Sequence, residues 1–157
     1  MLIGLSIATA TLISDQLSKY WILNHVLDTY PYLKISSFLN IVNAWNTGVS
    51  FSMFSSGSMA GKFILSAAAL MIVAALLLWL YKEKNRLLQI ALGLIIGGAL
   101  GNVADRIRLG AVFDFLDFHV SDLHWPAFNL ADSAICVGAA IILIEGLFFN
   151  KKDEVKK

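Results

Sequence analysis

The sequence predicts a mainly α-helical membrane protein with four transmembrane helices, a small extracytoplasmic β-sheet that forms a cradle, and an extracytoplasmic loop. The chain is 58% hydrophobic and 15% charged, with a mean hydropathy of +0.73, whereas soluble domains carry about 25% charged residues. Four apolar stretches long enough to cross a bilayer lie at about 2–25, 61–81, 87–109 and 128–149. The 157 residues show no internal repeat, so we expect a single domain over 1–157.

Charge and cysteine content argue against several functions. The formal net charge of +1 gives no general attraction to nucleic acid. The single cysteine, Cys136, cannot form an internal disulfide, and it has no Cys/His spacing typical of a zinc site. Because it lies in an apolar run, we predict that Cys136 is a small buried residue.

The first apolar stretch contains two charged residues. It lacks the basic start and the cleavage motif of a removable signal peptide, so we predict a membrane-spanning helix. Asp15 and Lys19 are four residues apart and share one face of that helix. Two interpretations stay open: an ion pair that only packs helices together, or support for a polar site at that depth.

The region from about 30 to 54 has a different pattern. Apolar residues at positions 39 and 41, and again at 49, 51 and 53, alternate with mostly polar neighbours, which is typical of strands. Asn46-Thr47-Gly48 between them resembles a hairpin turn, although a lone Asn such as Asn46 is by default only a turn residue. Tyr30, Tyr32 and Trp45 suit a membrane surface, so we predict a small sheet there.

The second stretch has no charge over residues 63–81 and indicates no chemistry. The third contains small residues at every fourth position, which let a neighbouring helix approach closely: Gly93, Gly97 and Gly101. It then places Asn102, Asp105 and Arg106 on one face before Gly110 ends the helix. Asp105 and Arg106 are either a charge pair at the membrane surface or part of a site.

Residues 111–126 are predicted to be extended. On an alternating strand, Asp114 is the only carboxylate on a face that is otherwise apolar at positions 112, 116, 118 and 120, and such surroundings raise a carboxyl pKa. A metal site is the alternative for this region, but its residues fit no recognised ligand spacing, and we expect them to be solvated: Asp117, His119, Asp122 and His124.

The fourth stretch begins with Asn129 and Asp132, three residues apart on one face. Asp132 either only caps the helix, where the helix dipole favours negative charge, or belongs to the same site as Asp114.

The distribution of basic residues predicts the orientation of the chain. The loop after the second stretch and the C-terminal tail carry Lys82, Lys84, Arg86, Lys151, Lys152, Lys156 and Lys157, whereas the opposite side carries Lys34, Lys62, Arg106 and Arg108. With four spans, both termini are then cytoplasmic. Carboxylates from four separate parts of the chain lie toward the extracytoplasmic side, and polar groups so close to lipid indicate a functional site: Asp15, Asp105, Asp114 and Asp132.

The residue types at this depth favour acid–base chemistry. No Ser–His or Cys–His pair lies at the same depth to form a nucleophile. One ionised aspartate could take a proton from water while a second, protonated aspartate polarises a scissile carbonyl. Repulsion between neighbouring carboxylates holds one of them protonated near neutral pH.

Four motifs, in this order, resemble those of the lipoprotein signal peptidases (signal peptidase II), which are bacterial membrane aspartic proteases. They are DQLSK at 15–19, NTGVSF at 46–51, GNVADRIRLGAVFDF at 101–115 and PAFNLADS at 126–133, and the resemblance covers nearly the whole chain. It implies that Asp114 and Asp132 are the catalytic dyad. It also implies substrate-binding or supporting roles for Asp15, Lys19, Asn46, Gly48, Asn102, Asp105, Arg106 and Asn129.

The resemblance further implies the reaction and its setting. The family cleaves diacylglyceryl-modified prolipoproteins just before the lipidated Cys, in the bacterial cytoplasmic membrane, without a metal or organic cofactor, and is inhibited by globomycin. One departure is Val49-Ser50, where the family commonly has two small residues, and it bears on substrate contacts and not on the dyad. The alternatives are a small transporter or a structural membrane subunit; four spans without a repeat are few for a transporter.

Overall fold

A computed structural model describes residues 1–30, 32–48 and 59–148, without the side chains of 59 and 60. The helices are α1 (Leu2–Trp21), α2 (Met59–Lys82), α3 (Arg86–Arg108) and α4 (Leu130–Phe148). The strands are β1 (Tyr32–Lys34), β2 (Leu39–Asn46), β3 (Val112–Val120) and β4 (Leu123–His124). A π-helical turn, Ile22–Val26, continues α1. The four helices lie close to the four predicted apolar stretches.

Helix α3 is central and packs against α1, α2 and α4. The predicted glycine face makes this possible, because a Cβ at Gly93 or Gly97 would clash with a backbone carbonyl oxygen of α1. Gly98, the residue after Gly97, faces α4, and a Cβ built on it would lie 2.5 Å from the Ala131 carbonyl oxygen. The sequence pattern therefore predicted a close helix contact, the structure shows that α1 makes it, and a further glycine allows the α4 contact.

Three helices in the described part of the chain are long and apolar enough to cross a membrane: Gly61–Lys82, Arg86–Arg108 and Leu130–Phe148. The first predicted span is not among them. Helix α1 carries Asp15 and Lys19 in its second half, and it buries both against the rest of the bundle. Large apolar side chains such as Leu2, Met71 and Leu147 are exposed on the outside of the bundle, as lipid contact requires.

The sheet is antiparallel, in the order β1-β2-β3-β4. The sheet predicted at 30–54 contains β1 and β2, and it extends further than predicted, because β2 also pairs with β3 from the later extended region, with Ala44 opposite Asp114. The strand predicted at positions 49–53 lies outside the described residues. Extended backbone at 111–126 was predicted correctly, and the sheet joins this segment to the earlier one.

Cys136 is exposed on α4, so its predicted burial was wrong. An apolar run in a membrane helix does not distinguish lipid-facing from buried positions, since both are apolar.

Candidate active site

The site lies where α1, α3 and α4 meet the beginning of β3. Helix α3 ends at Arg108, and Gly110, in the left-handed region at φ +80°, turns the chain directly into β3. Phe128 forms a β-bridge with Leu116, which brings the start of α4 to the same strand. Three helices and one strand therefore present polar side chains to one small volume.

Asp114 is a carboxyl at the centre of this volume, and only 2% of its surface is exposed. Asn129 Nδ2 donates to Asp114 Oδ1 over 2.6 Å, and the side chain of Asn46 also hydrogen-bonds to Asp114. Burial, together with the negative charge of Asp132, raises the pKa of Asp114 to about 6, despite these hydrogen bonds and the positive charge of Lys19. Such a carboxyl can hold or release a proton near neutral pH.

Asp132 lies in the first turn of α4 and exchanges hydrogen bonds with Asn129. The Asn129 backbone N–H donates to Asp132 Oδ2 at 3.3 Å, and the Asp132 N–H donates to Asn129 Oδ1 at 3.0 Å. The other oxygen, Asp132 Oδ1, accepts a hydrogen bond from Asn102 Nδ2 at 2.8 Å. The predicted capping role is therefore correct, and the same carboxylate also belongs to the site.

Asn102 connects the two halves of the site. Its Oδ1 accepts from Lys19 Nζ at 3.2 Å and from Asn129 Nδ2 at 3.3 Å, while its Nδ2 donates to Asp132. The amide orientation is thereby fixed, since the ammonium group can only donate. Two amides, Asn102 and Asn129, thus lie between Asp114 and Asp132.

Lys19 forms two buried ion pairs, with Asp15 and with Asp105, each at 2.9 Å. Each aspartate also accepts a hydrogen bond from the backbone of an element that carries a candidate site residue, Asp15 through its other oxygen and Asp105 through the same Oδ2 that pairs with Lys19. Asp15 Oδ1 accepts from the Ala131 N–H at 3.0 Å, and Asp105 Oδ2 accepts from the Phe113 N–H at 3.2 Å. The Asp15–Lys19 pair therefore joins α1 to α3 and to the start of α4, a geometry compatible with both of its interpretations.

The surface pair considered for Asp105 and Arg106 is not what the structure shows, because Asp105 is buried and pairs with Lys19. The Arg106 guanidinium instead lies near the charges of Asp114 and Asp132. Its Nη1 donates to the Asn102 carbonyl at 3.4 Å, and its buried Nε has no hydrogen-bond partner within the described residues. Gly48, at φ +82°, lies near the same guanidinium group, and a Cβ at this position would clash with the side chain of Leu65.

Gln16 is a site-supporting residue that the sequence interpretation left without a role. Its Nε2 donates to Asp105 Oδ1 at 2.9 Å and to Asp15 Oδ2 at 3.2 Å, and its Oε1 accepts from Arg108 at 3.1 Å. The feature of the sequence that could have indicated this role is the position of Gln16 beside Asp15 in the first motif. Helix spacing did not indicate it, because adjacent residues point in different directions.

The polar residues of β3 and β4 were expected to be solvated, and for Asp117 this was wrong. Asp117 is 6% exposed and accepts hydrogen bonds from Asn40 and His124. Asp122, in the turn between these strands, is exposed. No group of three or more His, Cys, Asp or Glu that could hold a metal ion occurs in the described ranges.

The sequence matches the family model described as signal peptidase (SPase) II over residues 7–148. The lipoprotein signal peptidase of Polynucleobacter necessarius subsp. necessarius (strain STIR1) is 45% identical over 140 residues, which cover 88% of this chain and 85% of that protein. The lipoprotein signal peptidase of Aeromonas hydrophila subsp. hydrophila is 42% identical over 151 residues, which cover 95% and 90% of the two chains.

Two solved structures share the fold of this chain. A structure described as a bacterial membrane enzyme, determined by the in meso method at 2.3 Å resolution, superposes with a TM-score of 0.78 and 31% identity over 98% of this chain and 91% of that chain. A second such structure, at 1.9 Å resolution, has a TM-score of 0.78 and 30% identity. Because the family model spans most of the sequence and these relatives match along nearly their whole length, the chain belongs to the signal peptidase II family.

Proposed function

We propose that this protein is an aspartic endopeptidase that removes signal peptides from diacylglyceryl-modified prolipoproteins, cutting just before the lipidated Cys, with Asp114 and Asp132 as its catalytic dyad. The observation that carries the dyad assignment is the position of Asn129, which hydrogen-bonds to both carboxyl groups. Family membership carries the reaction and the substrate class.

The different environments of the two carboxyl groups support different roles for them. Asp114 is more buried, and its raised pKa makes it the member that holds the shared proton. Asp132 is partly exposed and accepts hydrogen bonds at the N-terminus of α4, an arrangement suited to a carboxylate. Asp132 is therefore the base that faces the attacking water.

The reaction then proceeds in two steps. Asp132 takes a proton from water as the oxygen attacks the scissile carbonyl carbon, and Asp114 gives its proton to the carbonyl oxygen. Asp132 next passes its proton to the departing nitrogen while the C–N bond breaks, and Asp114 regains a proton from the tetrahedral intermediate. The products are the signal peptide with a free carboxyl group and a mature chain with a free α-amino group on its lipidated Cys.

Neighbouring side chains position the reacting groups. Asn102 and Asn129 hold the two carboxyl groups in fixed orientations. The Arg106 guanidinium group, with an unpaired buried Nε in the described part of the chain, provides positive charge beside the dyad. Asn46 and Gly48 lie at the end of β2, where an extended substrate segment can enter.

The proposal includes a membrane setting, which is supported by the distribution of basic residues along the chain. We assign four spans to α1–α4, with both termini in the cytoplasm and the sheet resting on the extracytoplasmic surface as a cradle for the substrate. The buried charges of α1 are paired, which makes its insertion feasible despite Asp15 and Lys19. A substrate with two acyl chains reaches this site by diffusion within the bilayer, at the depth of Asp114 and Asp132.

The test is cleavage of a lipidated precursor by the full-length enzyme, followed by gel shift. We expect Asp114→Asn and Asp132→Asn each to lower kcat by about 10²–10⁴-fold while the helical circular dichroism stays unchanged. The matched control is Asp122→Asn, which removes an exposed carboxylate near Asp114 in sequence and leaves cleavage at the wild-type rate. Wild-type turnover by either dyad variant would refute the assignment.

Two further measurements address ligands. A globomycin-like cyclic peptide is expected to compete with the precursor, because it would occupy the groove beside the dyad. Cleavage is expected to continue in excess chelator, since the proposed steps use only carboxyl groups and water. Loss of activity on chelation, restored by zinc, would contradict this mechanism.

A further inference from the structure

A second polar cluster, buried at Asn40 and Asp117 and exposed at His124, joins three strands of the sheet outside the proposed dyad. Asp117 on β3 accepts from Asn40 Nδ2 of β2 at 2.8 Å. It also pairs with His124 Nδ1 of β4, at 2.8 Å from Oδ1 and 2.9 Å from Oδ2. Asn40 is fully buried and Asp117 is 6% exposed, so the carboxylate has little contact with water.

The segment that follows this cluster leads to the second half of the dyad. His124 pairs with His119 across β3 and β4, and the Trp125 N–H donates to the Phe118 carbonyl at 2.8 Å. Phe128 then exchanges backbone hydrogen bonds with Leu116, at 3.0 and 2.8 Å. Residues 123–128 therefore run back along β3, and the next residue, Asn129, arrives beside Asp114.

We propose that Asp117 and His124 are positioning residues, whose hydrogen bond fixes the register of residues 123–128 on β3 and so sets where Asn129 and Asp132 meet Asp114. This inference rests on the proposed dyad. It adds that the alignment of the dyad depends on a contact outside the reacting groups.

Besides the pairing of β4 with β3 and the Trp125–Phe118 backbone hydrogen bond, the first half of this segment is held by His124, whose ring also stacks on that of His119 with centroids 5.0 Å apart. Strand β4 has only two residues, and the side chains of Leu123 and Trp125 are exposed at 81% and 70%. A slip of one residue along a strand would turn every side chain to the opposite face. Such a slip would move Asn129 away from Asp114, and a misplacement of about 1 Å can already cost about 10²-fold in rate.

The protonation state of Asp117 is suited to this role. Burial acts to raise its pKa, but the hydrogen bonds from Asn40 and His124 hold the pKa of Asp117 below its ordinary value. Asp117 is thus ionised at neutral pH, and a charged acceptor makes a stronger hydrogen bond than a neutral one. Asn40 on β2 fixes the position of the Asp117 carboxylate, and the carboxylate in turn holds His124 on β4.

The test compares four variants of the full-length enzyme by kcat, KM and Tm on a lipidated precursor. His124→Leu and Asp117→Asn remove the hydrogen bond or its charge, and we expect kcat to fall by about 10–100-fold with KM changed by less than about twofold. His124→Asn keeps a side-chain N–H near the place of Nδ1 and should recover most of kcat. Asp122→Asn, on the same hairpin, should behave as wild type.

Three results would overturn the inference. The first is a wild-type kcat in His124→Leu. The second is an effect on KM alone, which would place the cluster in substrate binding. The third is an equal loss of kcat in both His124 variants that follows their loss of Tm. Asp114→Asn is measured in the same assay, so that failure of the positioning proposal can be distinguished from failure of the dyad assignment. An inactive Asp114→Asn with a fully active His124→Leu refutes only the positioning role, whereas an active Asp114→Asn refutes the dyad itself.

Discussion

Asn129 donates from Nδ2 to Asp114 Oδ1 over 2.6 Å, the shortest of the three contacts that its amide nitrogen makes. The backbone N–H of the same residue donates to Asp132. One residue at the start of α4 therefore touches both carboxyl groups of the proposed dyad. Its position depends on the β3–β4 hairpin on one side and on the capping of α4 on the other.

The pH dependence of cleavage should report the protonation of Asp114. Because Asp114 must carry a proton to act as the acid, kcat/KM should decline by about tenfold per pH unit above its pKa, which is about 6 in the unliganded enzyme. The measurement is kcat/KM on a lipidated precursor between pH 5 and 8. A flat profile over this range would contradict the assignment of Asp114 as the proton donor.

The same raised pKa predicts a stability cost at neutral pH. The ordinary pKa is 3.8 and the folded value is about 6, so ionisation of Asp114 destabilises the folded state progressively as pH rises through this window. A shift of this size corresponds to roughly 2–3 kcal/mol. Asp114→Asn should therefore raise Tm relative to wild type at pH 8, and the difference should vanish near pH 4. Asp122→Asn is the control, and an equal Tm gain from it would refute this explanation.

Removal of Lys19 should be severely destabilising. Lys19→Met would leave Asp15 and Asp105 as buried carboxylates without a countercharge, at a cost of about 3–5 kcal/mol. Thermal unfolding in detergent measures this loss. Lys34→Met, an exposed position on β1, should change stability by less than about 0.5 kcal/mol. Similar Tm values for the two variants would show that the buried ion pairs contribute little.

Packing of α1 on α3 should depend on Gly97. A methyl group there would meet the Ala8 carbonyl oxygen and the Thr11 Cβ, the latter at 2.7 Å, so Gly97→Ala should lower Tm by several degrees. At Gly146 on α4 nothing lies within 4 Å of the added Cβ. Gly146→Ala should therefore leave Tm unchanged or raise it slightly through helix propensity. Equal effects at both positions would argue against close helix packing as the cause.

The proposed orientation can be tested by cysteine labelling in a Cys136→Ser background. Leu123→Cys, at an exposed position of β4, should react with an impermeant maleimide in intact spheroplasts. Lys84→Cys, in the loop between α2 and α3, should react only after lysis. The reverse pattern would place the sheet and the proposed active site on the cytoplasmic side.

Much of the site was predictable because its residues occur in helices, where spacing determines which side chains share a face. Asp15 with Lys19, and Asn102 with Asp105, were placed on common faces by spacing alone. The partner of each group was less predictable. Asp105 pairs with Lys19 of another helix and not with the adjacent Arg106, because adjacent residues point in different directions.

The sequence by itself determined the membrane character and the approximate helix boundaries, and it named the residues of the candidate site, since apolar length and motif spacing are local properties. Only the tertiary structure decided that β2 pairs with β3, that Asp117 is buried, and that Asn129 joins the two carboxyl groups. These features depend on strand register and on the approach of α4 to β3. Both are set by contacts between residues distant in sequence, which no local pattern specifies.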